Sequence, residues 1–155
     1  MDAREFPALR VRPVAVDDHP FLNQQLPALL PGEWSPAALA ATSYPQWVLT
    51  DTTQDGAIVG FAEVMRVLDE CELLGIAVLP TYQGRGFGGV LLREVLRRMR
   101  ELGCERCHLE VRRSNMAARR LYESVGFAGV GVRRGYYPAI GERAAEDAIL
   151  YSLSL

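Results

Sequence analysis

The sequence predicts an α/β (α+β) fold: a mixed central sheet of about seven strands, opened by an antiparallel meander and covered by helices on both faces. Three observations predict it. Strand-like segments follow one another over residues 47–79 with no long helix between them, and Asp55-Gly56 is a strong hairpin signal at their first junction. A glycine-rich turn, Gln83-Gly84-Arg85-Gly86-Phe87-Gly88-Gly89, then separates an apolar run from a long amphipathic one. Beyond it strand and helix patterns alternate, and two strand patterns close the chain.

Taken in order, residues 1–8 read as a tail ahead of a single domain over 9–155. Leu9–Val14 alternates like an edge strand that ends near Pro13. Asp17-Asp18 is placed to cap a helix reaching Leu30, with Phe21, Leu22, Leu26, Leu29 and Leu30 as its apolar face and Pro31-Gly32 as its stop. Ser35-Pro36 opens a second short helix, to about Thr42, and Trp34 before it is either a substrate wall or a buried anchor. Trp47–Thr50 and Ala57–Val64 read as strands, and Leu73–Leu79 is apolar throughout, as in a strand covered on both faces. Val90, Leu91, Leu92, Val95, Leu96, Met99 and Leu102 recur at helical spacing until Gly103 ends the helix. In the next strand Cys107, Leu109 and Val111 share one face, which aims His108 and Glu110 at the other. Ser114 or Asn115 caps a helix that Gly126 ends, and Phe127–Val132 and Asp147–Leu153 are the closing strands. The connection between those strands, Arg133–Glu146, is long for a hairpin and holds Tyr136-Tyr137-Pro138, the mark of a functional loop.

Composition excludes several function classes. Hydrophobic content of 49%, charged content of 23% and a net charge of −2 describe a globular protein with no direct nucleic-acid partner. All the side-chain cations apart from histidine are arginine. No apolar run approaches the roughly 20 residues of a membrane span, and the first residues lack a signal pattern, so a cytoplasmic location without membrane contact is expected; a monomer is expected as well. Three cysteines, an odd count, fit a reducing compartment. Cys104-x-x-Cys107 invites a metal or redox reading, but zinc needs further ligands and a redox pair belongs at a helix start; no metal is expected.

The glycine turn admits two anion-binding readings. Unpaired N–H groups at a helix start carry about half a positive charge, and glycines let a phosphate approach them. Gly84-x-Gly86-x-x-Gly89 matches a dinucleotide fingerprint, and Glu110 lies 21 residues beyond it, near where a ribose-binding acid falls. Against that, four residues separate the glycines from their strand, and too little chain follows for a doubly wound sheet. The other reading begins at the glutamine: Gln83-x-x-Gly86-x-Gly88.

That motif stands with Leu73, Gly75-Ile76-Ala77-Val78, Tyr82-Gln83, Leu109-Glu110-Val111-Arg112, Ser114-Asn115, Ala118, Leu121-Tyr122-Glu123-Ser124, Gly126-Phe127, Arg133-Arg134, Tyr136-Tyr137-Pro138 and Glu146-Asp147-Ala148. The set resembles the GCN5-related N-acetyltransferases (GNAT) from Leu9 to Leu155, and most of all the branch that acetylates the N-terminal alanine of a small-subunit ribosomal protein. Gly75 and Gly135 stand where that branch commonly has asparagine, and the first 40 residues match loosely.

The resemblance implies a GNAT fold whose splayed central strands form a cleft for acetyl-CoA, the cosubstrate. It places Gln83, Gly84, Arg85, Gly86, Phe87 and Gly88 on the pyrophosphate, and Ile76, Ala77 and Val78 on the pantetheine arm through their backbone. Asn115 and Ala118 flank that arm, Glu110 is the general base and Tyr122 the general acid. Helical spacing independently sets Asn115, Ala118 and Tyr122 along one stripe. Trp34, Tyr136 and Tyr137 are candidates to grip the acceptor, and Asp69, Glu70 and Glu72 to favour a basic one. The expected partner is a protein or peptide N-terminus. A lysine side chain or small-molecule amine is the alternative acceptor, and a non-catalytic acetyl-CoA sensor is a third reading that has no need of Glu110 or Tyr122.

Overall fold

The computed structural model describes residues 6, 8–30 and 44–155; Trp34, the short helix expected over Pro36–Thr42 and most of the expected tail lie outside the described residues. The chain runs through β1 (Leu9–Pro13), α1 (His19–Leu29), β2 (Gln46–Asp51), β3 (Ala57–Val67), β4 (Glu70–Val78), α2 (Phe87–Glu101), β5 (Arg106–Arg112), α3 (Met116–Val125), β6 (Ala128–Tyr137) and β7 (Glu146–Ser154). The strands form one seven-stranded sheet in the order β1-β2-β3-β4-β5-β7-β6. β1 to β4 are antiparallel neighbours, so the expected meander of three strands gains a fourth at its edge. The parallel step from β4 to β5 needs a crossover, which α2 supplies.

α1 covers one face of the sheet. Leu22, Leu26 and Leu30 recur once per turn and bury against Val48 of β2 and Phe61 of β3, each worth about 1.5–3 kcal/mol of transfer free energy. Phe21, expected on this face, is 37% exposed, because it stands one residue off the buried stripe. The expected cap also differs. A 3-10 turn over Val16–Asp18 leads into α1, and the Asp18 carboxylate turns back to accept two hydrogen bonds from Arg12, at 2.7 and 2.9 Å, and one from the Ala15 N–H.

α2 and α3 cover the opposite face. Val90, Leu91, Leu92, Val95, Leu96 and Met99 bury with Leu49, Val59, Val64 and Leu73, while Leu102 falls past the helix end and is half-exposed. Gly103 takes φ +89° there, and Arg66 of β3 donates to the Leu102 carbonyl at 2.6 Å, satisfying one of the helix's last acceptors. Phe6, within the expected tail, meets Phe87 edge-on at 5.5 Å. That part of the tail therefore joins the core.

Two strand expectations are corrected. Cys71 and Leu73 of β4 are buried, but Leu74 to Leu79 are only half-buried, because β5 pairs with β4 over Glu70–Glu72 and then diverges. β6 continues past Val132 to Tyr137 through register shifts, with Gly135 at φ +60°, so the long connection shrinks to residues 138–145. Tyr136 and Tyr137 thus stand on a strand end rather than in a free loop.

Candidate active site

The divergence of β4 from β5 makes the site. Beyond Glu72 the β5-side edge of β4 has no strand partner among the described residues. The Leu79 N–H bonds the Val59 carbonyl of the chain segment forming β3, and antiparallel alternation then turns the backbone groups of Ile76 and Val78 away from β3, into the gap. Those groups offer hydrogen bonds to an extended ligand, as an added strand would take them.

At the upper end of the gap lies a cleft of about 460 Å³ lined by Ile76, Ala77, Val78, Gln83, Gly84, Gly86, Phe87 and Gly88 on one side and Asn115, Ala118 and Leu121 on the other. Gly84 and Gly86 adopt φ +75° and +82°, which lets the turn present the first N–H groups of α2 to the cleft. A Cβ at Gly88 would lie 3.3 Å from Leu121 and 3.8 Å from Val78, so glycine there keeps the walls apart. The Gln83 amide donates to the Val78 carbonyl at 2.9 Å, which ties the turn to the end of β4. Phe87 points its ring into the core, stacked on Tyr82. Arg85 lies over the Tyr82 ring at 5.6 Å and is not among the residues lining the cleft.

A second hollow of about 450 Å³ continues from the first, sharing Leu29, Ile76, Asn115 and Ala118 with it. Its walls include Glu110 and Tyr122, although the two come from opposite faces of the sheet: Tyr122 packs with Leu109 and Val111, whereas Glu110 alternates with them. The gap between the strands is what brings both into one space. The Asn115 side chain caps α3 by accepting the Ala118 N–H at 3.2 Å, leaving its amide N–H₂ for the hollow. Tyr122 is 7% exposed, its ring between Phe127 and Tyr151.

Charged groups surround Glu110 at one wall of this hollow. Glu110 Oε1 is 3.1 Å from Arg133 Nη1, and the same guanidinium stands 5.2 Å from the centre of the Tyr136 ring. The Glu110 charge, with a hydrogen bond to the phenol, holds Tyr136 above the ordinary tyrosine range. Burial raises the Glu72 carboxyl above its usual range, the Glu110 charge raises it further, and His108 and Arg133 partly offset both. Tyr137 lies under the Arg112 guanidinium at 4.1 Å. Two acids pin the segment that carries these tyrosines. Hydrogen bonds from the Ser114 side chain and from the Ser114 N–H, the latter at 2.6 Å, hold Glu146 below the usual carboxylate range, and Asp147 accepts the Gly135 N–H at 2.9 Å. Leu29, Arg133 and Arg143 are site residues that sequence reasoning missed as such; a lone leucine at a helix end and arginines in an arginine-rich chain carry no signal of their own.

Cys71, Cys104 and Cys107 are buried free thiols, and burial and mutual contact raise the first two. Among the described residues no group of three or more His, Cys, Asp or Glu side chains is arranged to hold a metal ion, and no helix is long and apolar enough to cross a membrane.

A strand-edge gap, a glycine turn at a helix start and a hollow lined by both a carboxylate and a tyrosine are parts suited to acyl transfer. The chain belongs to the Acetyltransferase (GNAT) family, whose model matches residues 11–127. It is 43% identical over 105 residues to the ribosomal protein bS18 alanine N-acetyltransferase of Haemophilus influenzae, covering 68% of this chain and 71% of that one. It is 40% identical over 122 residues to the protein of the same name from Escherichia coli K12, covering 79% and 81%. The crystal structure of the Escherichia coli ribosomal-protein-S18-alanine N-acetyltransferase superposes with a TM-score of 0.82 at 35% identity, over 94% of this chain and 93% of that one. Arabidopsis thaliana NAA60 in complex with acetyl-CoA, at 20% identity and a TM-score of 0.84 over 95% and 98%, shares the fold.

Proposed function

We propose that this protein transfers the acetyl group of acetyl-CoA to the α-amine of a protein N-terminus, alanine first, with the small-subunit ribosomal protein bS18 as the acceptor. One observation carries the reading: the cleft at the glycine turn adjoins the hollow lined by Glu110 and Tyr122, the two sharing Leu29, Ile76, Asn115 and Ala118 as wall residues. The names of relatives at 40–43% identity support the acceptor.

The pyrophosphate lies on the N–H groups of the turn and of α2, with Gln83, Gly84, Gly86, Phe87 and Gly88 around it, and the pantetheine arm pairs with the backbone of Ile76 and Val78 beside Ala77. Asn115 and Ala118 flank the arm, and Tyr136 and Tyr137 hold the acceptor. Glu110 takes a proton from the incoming amine, directly or through one water; the nitrogen attacks the thioester carbonyl; the carbon–sulfur bond breaks and Tyr122 protonates the departing thiolate. A free α-amine, with a pKa of about 7.7–8.0 against about 10.4 for lysine, is roughly a tenth neutral near pH 7, so a carboxylate is base enough. Residues 9–155 act as a single catalytic domain, a monomer of the cytoplasm.

Acetyl-CoA and a peptide panel test the proposal. Thiol release is expected with free N-terminal alanine and not with an N-formyl peptide bearing an internal lysine. Equal turnover of the two assigns the protein to a side-chain or small-amine acceptor instead.

A further inference from the structure

We propose that Arg133 is a displaceable gate on Glu110, a specificity residue that admits only acceptors carrying an ammonium. The inference rests on the reading of Glu110 as the base. In the structure the guanidinium of Arg133 stands against one carboxylate oxygen of Glu110, at 3.1 Å. Arg133 sits opposite Ala148 on β7 and Glu110 opposite Leu150, so the side chain spans the intervening strand diagonally to make this contact. It does so from β6, an edge strand exposed along nearly its whole length, and its own side chain is 54% exposed.

Such a pair is easily exchanged. Exposed ion pairs contribute little, since solvent screens them and the long side chain regains its freedom on release. Arg133 also has a second seat within reach, the face of Tyr136, so it leaves the carboxylate without losing all its contacts. Near pH 7 a free α-amine is mostly protonated and arrives as a cation of the same sign as the guanidinium. It can take the oxygen that Arg133 gives up and replace its charge, whereas an amide, an alcohol or a blocked N-terminus offers that oxygen only a neutral donor. The neighbouring Glu72, His108, Arg112 and Arg143 remain in place on either side.

Kinetics of Arg133→Met and Arg133→Lys with a free alanine peptide at saturating acetyl-CoA test the gate. Removing the internal competitor should lower the acceptor KM about two- to fivefold and raise kcat/KM in step, while the lysine variant stays near wild type. A raised KM would make Arg133 a direct acceptor contact, and a fall in kcat at constant KM would make it a positioning residue; either result overturns the gate. If the wild-type protein acetylates no free-amine peptide, the proposed function fails on its own. The gate is then judged by calorimetry on coenzyme A-loaded protein, where Arg133→Met should tighten binding of the free-amine peptide and leave its N-formyl counterpart unchanged. Absence of that difference overturns it.

Discussion

Glu110 and Tyr122 reach the same hollow from opposite faces of the sheet, and their assigned roles differ in how much they contribute. The thiolate of coenzyme A, an ordinary thiol, has a pKa of about 8–9 and leaves fairly well near neutral pH, so the phenol adds less than the base. Glu110→Gln is therefore expected to lower kcat/KM about 10²-fold or more at pH 7. Part of the rate should return near pH 9, where the amine deprotonates without help. Acetyl-CoA affinity, followed by titration calorimetry, should hold, and an unchanged rate would remove Glu110 from the mechanism. Glu110 was legible because alternation with Cys107, Leu109 and Val111 fixes where its side chain points. Arg133 was not, because its contact depends on β6 lying two strands away with β7 between.

Among the elements, the turn leading into α2 is the one proposed to hold the cosubstrate. Its positive-φ glycines and the Gly88 contact with Leu121 show two distinct uses of a missing Cβ: backbone freedom at Gly84 and Gly86, and separation of the cleft walls at Gly88. Gly88→Val should thus reduce acetyl-CoA affinity about tenfold or more, by pushing Leu121 and Val78 into the cleft, with little change in the thermal midpoint of the unliganded protein. The paired measurement is the stabilisation by ligand, about 2.7 kcal/mol at a hundred times Kd for wild type and much less for the variant at the same concentration. Equal stabilisation of both would mean that the ligand does not use this cleft. The sequence marks this element plainly, since a strand, a glycine run and an amphipathic helix are local patterns. The β6–β7 connection was misjudged for a related reason. The sequence pattern ends the strand at Val132 and starts the connection at Arg133, yet tertiary bonds such as that from the Gly135 N–H to Asp147 carry the strand on to Tyr137.

For the whole molecule, the meander's edge is stapled to α1 by Asp18. Arg12 on β1 and the Ala15 N–H hold its carboxyl below the usual carboxylate range, first through the side-chain hydrogen bond to Arg12. A carboxyl depressed in the folded state adds stability that is present above its unfolded value, about 3.9, and lost as pH falls through the folded value. Asp18→Ala should cost about 1–3 kcal/mol in urea unfolding at pH 7, with the gap to wild type closing below about pH 4. A difference that persisted undiminished in acid would assign the loss to packing.

By itself the sequence determined the order of elements, the alternation that aims Glu110, the stripe of Asn115, Ala118 and Tyr122, and a glycine turn at a helix start. All of these are short-range periodicities or backbone constraints, set by residues a few positions apart. Only the tertiary structure decided that β5 leaves β4 after Glu72, that the opening joins the two hollows, and that Arg133 and Tyr136 close over Glu110. These depend on strand order and register across the sheet, where residues far apart in the chain meet and no local pattern records the meeting.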